Sequence, residues 1–375
     1  MSSGAPTASD PRPAPPFTEE HERLRLQMRS FVTERLRPHA DEWEAAQWFD
    51  NEVFRWVADA GYLDLGLEHP LAAAVWVEEL ARCGSGGLAA GLGAHAGIAL
   101  PPIARFGTAQ QRERYVEPGR RGELIAALAI TEPGAGSDVA AIRTHARRVD
   151  GGYVVNGSKT FITGGVRADI LVTAVKTTQD GGHHGLSFLI IERGPGVRSS
   201  ALRKLGWHAS DTAEIAFDDV FVPQENLLGG EHQGFYLIMA NFQWERLLMA
   251  LGAVGAMQVC FERTLDFVRG RADLRSQQAI RHGMAEIAVE LEAGRAVTYA
   301  ALRRHLAGED AVREVTIAKL RTQRAAFDVI DACVQIHGLD APPELERALR
   351  DARLGPIGGG TDEIMREILG RSMGL

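Results

Sequence analysis

The chain has 375 residues, more than one hydrophobic core usually organises, so two or three packed domains are expected. Apolar residues make up 45% of the chain and charged residues 24%, values that exclude disordered, fibrous and membrane-embedded classes. The formal net charge is −8, and basic residues are interleaved with acidic ones rather than gathered in a patch. We therefore expect no nucleic-acid partner.

The cysteines and the N-terminal segment indicate the compartment. Cys83, Cys260 and Cys333 lie far apart and match no metal-ligand spacing, so we expect neither a disulfide framework nor a metal site. Residues 1–16 are rich in Ser, Ala and Pro without an apolar segment, which predicts a disordered tail rather than a signal peptide. The longest apolar run, residues 247–257, is too short to span a bilayer. We predict a cytoplasmic protein without a membrane partner.

Residues 17–124 carry helical signals. Thr18 can cap a helix whose first turn contains Glu19 and Glu20, and apolar residues follow on one stripe. Glycine and proline then separate short apolar stretches as far as about residue 122. The pattern predicts an N-terminal helical domain.

Residues 125–229 carry strand signals instead. Asp150-Gly151 and Asn156-Gly157 are the dipeptides most typical of tight hairpin turns, and residues favoured in strands flank them. The predicted strands span residues 125–130, 153–155, 160–163, 170–175, 186–191, 214–217 and 220–222. Short strands with frequent turns predict a small antiparallel barrel or sandwich.

Residues 230–375 return to helical periodicity. Apolar residues spaced for one buried face run from Gly234 to Val268, and further helices are predicted over residues 276–306 and 310–336. Long helices with short connections favour an antiparallel bundle. The whole chain is therefore predicted to have an α+β fold, with a helical domain, a β domain and a helical bundle in that order.

A glycine-containing loop follows the first predicted strand. Residues 131–138 read TEPGAGSD, and the two glycines would let the backbone approach a flat ligand closely. The loop is not GxGxxG and no helix follows it, so a nicotinamide-binding Rossmann site is disfavoured. On composition alone, a simple surface turn is the preferred interpretation.

Four segments taken together change that interpretation. TEPGAGSD, NGSKTFITGG, ERLLMALGAVG and PIGGGTDEIMREILGR occur in this order, beginning at residues 131, 156, 245 and 356. The chain resembles the acyl-CoA dehydrogenase family from about Phe17 onward. The resemblance implies an N-terminal helical domain, a central β domain and a C-terminal four-helix bundle, with FAD as cofactor.

The resemblance also implies contacts to the flavin. Ile130 and Thr131 match positions that bond the pyrimidine edge, and Ser137 matches one that reaches the pyrophosphate. Phe161 and Thr163 match an aromatic-x-Thr element that packs on the isoalloxazine ring and bonds near its N5 atom. The family usually has Trp at the Phe161 position.

Other implied contacts lie near the C-terminus and at a subunit contact. Thr361 and Glu363 belong to the motif that closes over the flavin. Arg271, Gln335 and Gly338 match residues that hold the adenosine end of FAD across two subunits. Here the Phe-Gly pair usually found after the arginine is missing, and Leu replaces the second glycine after the glutamine. A homotetramer or homodimer is implied.

The position of the catalytic base follows from one substitution. Many family members carry a glutamate just before Gly-Thr in the last motif, where this chain has Gly359. Members of the long-chain and isovaleryl types carry the base as Glu-Arg on the first long C-terminal helix, which matches Glu245 and Arg246. We therefore assign Glu245, with Arg246 and Gly359 beside it, to the catalytic centre. The alternative is that Glu245 is an ordinary exposed helix residue.

The resemblance implies α,β-dehydrogenation of an acyl-CoA, with electrons passing to an electron-transferring flavoprotein. Removal of an α-proton requires a carboxylate base, which is the role assigned to Glu245. Three alternatives stay open: a thioester on an acyl-carrier protein, a flavin-dependent monooxygenase on the same scaffold, and a catalytically inactive acyl-binding protein.

Overall fold

The computed structural model describes residues 15–178 and 182–375. The predicted disordered tail, residues 1–16, lies outside the described residues except for its last two positions. Helices form both ends of the chain and strands form its middle, in the order that the periodicity predicts.

The N-terminal third consists of short helices joined by π-helical and 3₁₀ turns. The first helix begins after Thr18, whose backbone N–H donates to His21 Nδ1 at 3.3 Å, and its apolar stripe buries Met28. Gly84 adopts a φ of 78° at the end of one turn, a conformation that favours glycine. The helices are α1 Glu19–Phe31, α2 Ala40–Ala46, α3 Glu52–Asp59, α4 Leu65–Glu68, α5 Pro70–Leu80, α6 Gly86–Gly93, α7 Leu100–Phe106, α8 Ala109–Gln111 and α9 Glu117–Arg120.

Helices α6 and α7 form one continuous helical stretch with the π-helical turn between them. Within the described residues this stretch, Gly86–Phe106, is 21 residues long and apolar enough to cross a membrane by length and composition. Half of it is buried, with Leu88, Leu92 and Leu100 inside the protein core. Packing between the helical and β domains therefore accounts for its apolar composition.

The strands form one sheet with the order β6-β7-β3-β2-β4-β5-β8, and β1 pairs with β4. Most pairs are antiparallel, but β1–β4 is parallel and so is the single pairing between β2 and β4. The parallel pairs arise because the chain leaves β1 through the long loop of residues 130–144. The strands are β1 Ala126–Ala129, β2 His145–Val149, β3 Gly152–Ile162, β4 Ile170–Lys176, β5 Leu186–Glu192, β6 Val197–Ala201, β7 Ala213–Pro223 and β8 Leu227–Leu228.

One of the two predicted hairpin turns is wrong. Asp150-Gly151 does turn β2 into β3, and Val149 pairs with Gly152. Asn156-Gly157 instead lies inside β3, which is continuous where two strands were predicted. Gly157 is needed there because a Cβ atom would come within 2.6 Å of the Thr144 backbone. The predicted strands over residues 214–217 and 220–222 are likewise one strand, β7.

The C-terminal part contains three long helices and three shorter ones. The predicted long helices are confirmed as α10 Gly234–Gly270, α12 Gln278–Leu306 and α13 Val312–His337. Helix α11 Ala272–Ser276 connects the first two, while α14 Pro343–Ala352 and α15 Asp362–Ser372 pack on α13. Buried apolar side chains of α10 and α13 form the core of this bundle. The predicted domain boundaries after residues 124 and 229 stay predictions.

Charged side chains join the first and last helical parts. Glu79 on α5 accepts hydrogen bonds from Arg29 at 2.9 Å and Arg82 at 2.6 Å, and Arg25 bonds both Glu78 and Glu79. Arg82 also donates to Glu262 of α10 at 2.6 Å. Arg82 thus links the buried Glu79 of α5 to Glu262 of α10 and holds the two helices together.

Candidate active site

A cavity of about 1120 Å³ lies between the sheet and helices α5, α6 and α10. Its volume and its largely apolar lining are typical of ligand sites. The structure brings most of the predicted site residues to this one cavity: Ile130, Thr131, Ser137, Phe161, Thr163, Glu245, Arg246, Gly359 and Thr361.

A buried ion pair positions the loop on the sheet side. Lys159 Nζ, which is fully buried, donates to the Ile130 carbonyl and to Glu132 Oε1, each at 2.9 Å. Glu132 in turn accepts the backbone N–H groups of Arg143 at 2.6 Å and Thr144 at 2.9 Å. Desolvation lowers the pKa of Lys159 to about 8, partly offset by Glu132. The pair thus fixes the start and end of the loop.

The structure assigns a role to Glu132 and Lys159 that sequence reasoning missed. Both lie within the TEPGAGSD and NGSKTFITGG segments, so an acidic and a basic residue in neighbouring glycine-containing segments was the available signal. The backbone N–H of Thr160 also donates to the Thr131 carbonyl at 2.9 Å, which joins the same two segments.

Phe161 presents its ring to the cavity through an irregularity in β3. The pairing of β3 with β7 shifts between Lys159 and Ile162, and Phe161 adopts a φ of 58°. A β-bulge of this kind redirects a side chain that would otherwise point into the sheet's core. Phe161 consequently exposes 68% of its surface although it is a large apolar residue.

Three hydroxyl groups in the same cavity have no hydrogen-bond partner within the described ranges, 15–178 and 182–375. They belong to Thr131, Ser137 and Thr163, and all three residues line the cavity. An exposed aromatic ring and several hydroxyl groups that line one cavity fit a flat heterocycle with polar edges, such as the flavin of FAD. The arrangement therefore agrees with the contacts that the family resemblance implies.

Glu245 lies on α10 and lines the same cavity. Its carboxylate forms no hydrogen bond with any part of the chain that the structure describes. Burial raises the pKa of Glu245 to about 7, and the positive charges of Arg246 and Lys319 limit the rise. A carboxyl with this pKa at an apolar cavity is suited to accept a proton near neutral pH. The alternative of an ordinary exposed helix residue is wrong, because Glu245 is half-buried.

Arg246 holds three consecutive glycines near the C-terminus, Gly358 to Gly360, which we call the glycine run. It is buried, its Nε donates to the Gly359 carbonyl at 3.2 Å, and its guanidinium lies 5.3 Å from the centre of the Phe242 ring. Gly359 has a φ of 62°, and a Cβ atom at this position would contact the Met249 sulfur. Backbone conformation and packing therefore both favour glycine where other family members carry the base.

Lys319 is a second buried lysine that sequence reasoning missed. Its Nζ donates to the carbonyl of Gly355, shortly before the glycine run, at 2.9 Å and to that of Gly360, the last glycine of the run, at 2.6 Å. Desolvation lowers its pKa to about 8. A lysine among the apolar residues of α13 was the signal that could have found it.

Four predicted site residues lie away from the cavity. Arg271 donates to Asp273 at 3.2 Å and to Asp340 at 3.1 Å, close to the turn that contains Gly338. Gln335 and Gly338 are exposed. Glu363 is also exposed and pairs with Arg366 at 3.4 Å, so within this chain it does not close over the cavity. The predicted roles of Arg271, Gln335 and Gly338 across a subunit contact, and of Glu363 in the motif that closes over the flavin, stay predictions.

Comparison with known proteins defines the class to which this fold and site belong. Models described as "Acyl-CoA dehydrogenase, N-terminal domain", "middle domain" and "C-terminal domain" match residues 18–123, 127–220 and 232–374. The chain belongs to the acyl-CoA dehydrogenase family, which confirms the predicted fold class and FAD as the cofactor.

Individual relatives agree over nearly the whole chain. It is 34% identical to the mitochondrial long-chain specific acyl-CoA dehydrogenase of Mus musculus, over 95% of this chain and 87% of that protein. It is also 34% identical to the mitochondrial isovaleryl-CoA dehydrogenase of Arabidopsis thaliana, over 95% and 92%. The crystal structure of a probable acyl CoA dehydrogenase from Mycobacterium abscessus is similar with a TM-score of 0.92 and 41% identity, covering 95% of this chain and 99% of that chain.

Replacing Lys159 by Met should lower the free energy of unfolding by about 3 kcal/mol, because the buried Glu132 carboxylate loses its counter-ion. The double variant Lys159→Met/Glu132→Gln should recover part of this loss, since no buried charge remains and an acceptor is kept. Urea denaturation of the three proteins measures both effects.

The control for this pair is Arg198→Ala in the same sheet. Arg198 pairs with Asp218 at 3.2 Å, and both side chains are more than half exposed. Its replacement should change the free energy of unfolding by less than about 1 kcal/mol. Equal losses for Lys159→Met and Arg198→Ala would show that the buried pair does not stabilise the loop.

Proposed function

We propose that this FAD-dependent oxidoreductase introduces a double bond between the α- and β-carbons of an acyl-CoA thioester, with Glu245 as the base. The observation that carries the proposal is the carboxylate of Glu245, which has a raised pKa and no partner among the described residues, in the cavity that Phe161, Thr131, Ser137 and Thr163 also line. A base of this strength is what removal of a weakly acidic α-proton requires.

Each residue contributes a separate part of the reaction. When bound, FAD supplies the acceptor for the hydride that leaves the β-carbon. Thr131, Ser137 and Thr163 would hold the polar edges of FAD, and Phe161 would pack on its ring system. Glu245 accepts the α-proton, so that one proton and one hydride leave the substrate and the carbon–carbon double bond forms.

The apolar walls and the glycine run support the base. Apolar residues keep water from the carboxylate, which maintains its raised pKa. Arg246 and Lys319 bind the carbonyls of Gly359 and Gly360, and thereby hold the run beside α10. The glycine run would lie beside the thioester. Because glycines have no side chains, the run would leave space for the thioester group.

Dehydrogenation is favoured over the other activities considered. A flavin-dependent monooxygenase would need no carboxylate at the cavity, whereas Glu245 is there without a partner in the described part of the chain. The proposed carrier of the acyl group is CoA rather than a carrier protein, since the relatives named above are acyl-CoA dehydrogenases.

We further propose that an electron-transferring flavoprotein accepts the electrons, and that the protein works in the cytoplasm as a homotetramer or homodimer. The exposed Gln335, Gly338 and Leu339, beside Arg271, support a subunit contact at this end of the bundle.

Light scattering should give the mass of two or four chains. The mass of one chain would contradict the assembly.

Replacing Glu245 by Gln should slow the anaerobic reduction of FAD by acyl-CoA about 10²–10⁴-fold, because the amide has the same shape but cannot accept the proton. Loss of FAD absorbance after mixing with a panel of acyl-CoAs measures the rate. The control is Glu309→Gln, an exposed residue paired with Arg304, which should reduce FAD at the wild-type rate. Unchanged reduction in Glu245→Gln would overturn the assignment of the base.

The reaction should also depend on pH in a defined direction. Because burial raises the pKa of Glu245 to about 7, the carboxyl is protonated at lower pH and cannot accept the α-proton. We expect kcat/KM for FAD reduction to fall about tenfold per pH unit below this value and to level off above it. Stopped-flow measurement across neutral pH tests this. A profile that stays flat down to about pH 5 would contradict a raised pKa.

A further inference from the structure

Beyond Glu245 the cavity is lined by apolar residues of α5, α6 and α10, and we call this part of it the acyl arm. The arm is bordered by one face of α10, where the residues lining the cavity recur every four positions. On the other side it is bordered by α6 and α5. Its lining comprises Trp76, Val77, Leu80, Ala89, Ala90, Gly93, Leu248, Gly252, Ala253 and Ala256.

Contacts at both ends show that α6 and α10 flank the same space. At one end, a Cβ atom on Gly97, in the π-helical turn that continues α6, would come within 2.7 Å of the Leu248 side chain. At the other end both helices reach α14: the backbone N–H of Gly86 donates to Asp351 at 3.1 Å, and Arg263 pairs with Glu344 at 2.6 Å. The arm therefore runs along α10 from the base toward this ion pair.

Two glycines face the arm without any packing reason for being glycine. A Cβ atom on Gly93 would meet none of the described atoms within 4 Å, and one on Gly252 would meet only Val77, at 3.8 Å. By contrast, Gly91 lies against the Phe49 ring and Gly255 against the Glu78 backbone, where a Cβ atom would clash. Gly93 and Gly252 thus keep space open that a larger side chain would fill.

The length of the arm indicates the size of its ligand. Glu245 and Ala256 are eleven residues apart on α10, which corresponds to about 16 Å along the helix axis. An extended chain advances about 1.2 Å per bond, so the arm matches an acyl tail of roughly thirteen bonds. Each methylene group buried there should strengthen binding about fourfold.

We propose that the substrate of this enzyme is a long, unbranched acyl-CoA whose tail fills the acyl arm, and that Gly93 and Gly252 set the accepted chain length. The inference rests on the proposed dehydrogenase function. A short branched acyl group would leave most of the arm without a ligand, and the apolar walls would then face water at a cost in binding.

The test is a size series at Gly93, comprising Gly93→Ala, Gly93→Leu and Gly93→Phe. FAD reduction is measured with isovaleryl-, butyryl-, octanoyl-, dodecanoyl- and palmitoyl-CoA. The wild type should prefer dodecanoyl- or palmitoyl-CoA. Gly93→Phe should lower kcat/KM for these two at least about tenfold relative to butyryl-CoA, with Gly93→Leu between it and the wild type. FAD content confirms that each variant is folded.

A matched control and a binding measurement sharpen the result. Gly270 also lies on a helix, and a Cβ atom there meets no described atom within 4 Å, but it does not line the cavity. Gly270→Phe should leave the chain-length preference unchanged. Calorimetry in the Glu245→Gln background should show that Gly93→Phe weakens palmitoyl-CoA binding and spares butyryl-CoA.

The outcomes separate the two proposals. If the wild type reduces FAD with none of the acyl-CoAs, including isovaleryl-CoA, the dehydrogenase function fails. If it prefers butyryl- or isovaleryl-CoA, the function stands and the assignment of a long-chain substrate is overturned. If Gly93→Phe affects all chain lengths equally, the assignment of Gly93 as a determinant of chain length is overturned.

Discussion

The position of α10 is the constraint on which the rest of the structure depends. This helix contributes buried side chains to three separate cores: Leu237 beside the sheet, Leu247 and Leu251 against the N-terminal helices, and Met257 within the C-terminal bundle. The ion pair of Arg82 with Glu262 adds a charged link to α5. Because packing on several sides restricts rotation of a helix, the residues on its cavity face, including the base, are held in one orientation.

Two buried lysines solve the same structural problem on opposite sides of the cavity. Glycine-rich segments can approach a ligand closely but have few side chains with which to hold themselves in place. Lys159 binds the carbonyl of Ile130, and Lys319 binds those of Gly355 and Gly360. Desolvation lowers the pKa of both lysines to about 8, so both are weaker bases than a solvent-exposed lysine.

The order of the helices and strands could be predicted from periodicity, because long amphipathic helices and the Asp150-Gly151 turn have strong local signals. The continuity of β3 through Gly157 could not, since the close approach of Thr144, just before the neighbouring strand β2, is a packing contact that the Asn156-Gly157 dipeptide does not reveal. The candidate base was found only through the family resemblance. Its raised pKa arises from burial by helices far apart in sequence, which no local pattern around Glu245 reveals.

Desolvation connects the chemistry of the base to the proposed choice of substrate. The apolar walls that raise the pKa of Glu245 also line the acyl arm, so one feature of the cavity serves both purposes. An acyl tail that fills the arm would add to the apolar surroundings of the carboxylate and so make it a stronger base. A tail too short for the arm would add less. The open space at Gly93 and Gly252 therefore bears on reaction rate as well as on binding, because the occupant of the arm sets the environment in which the proton is removed.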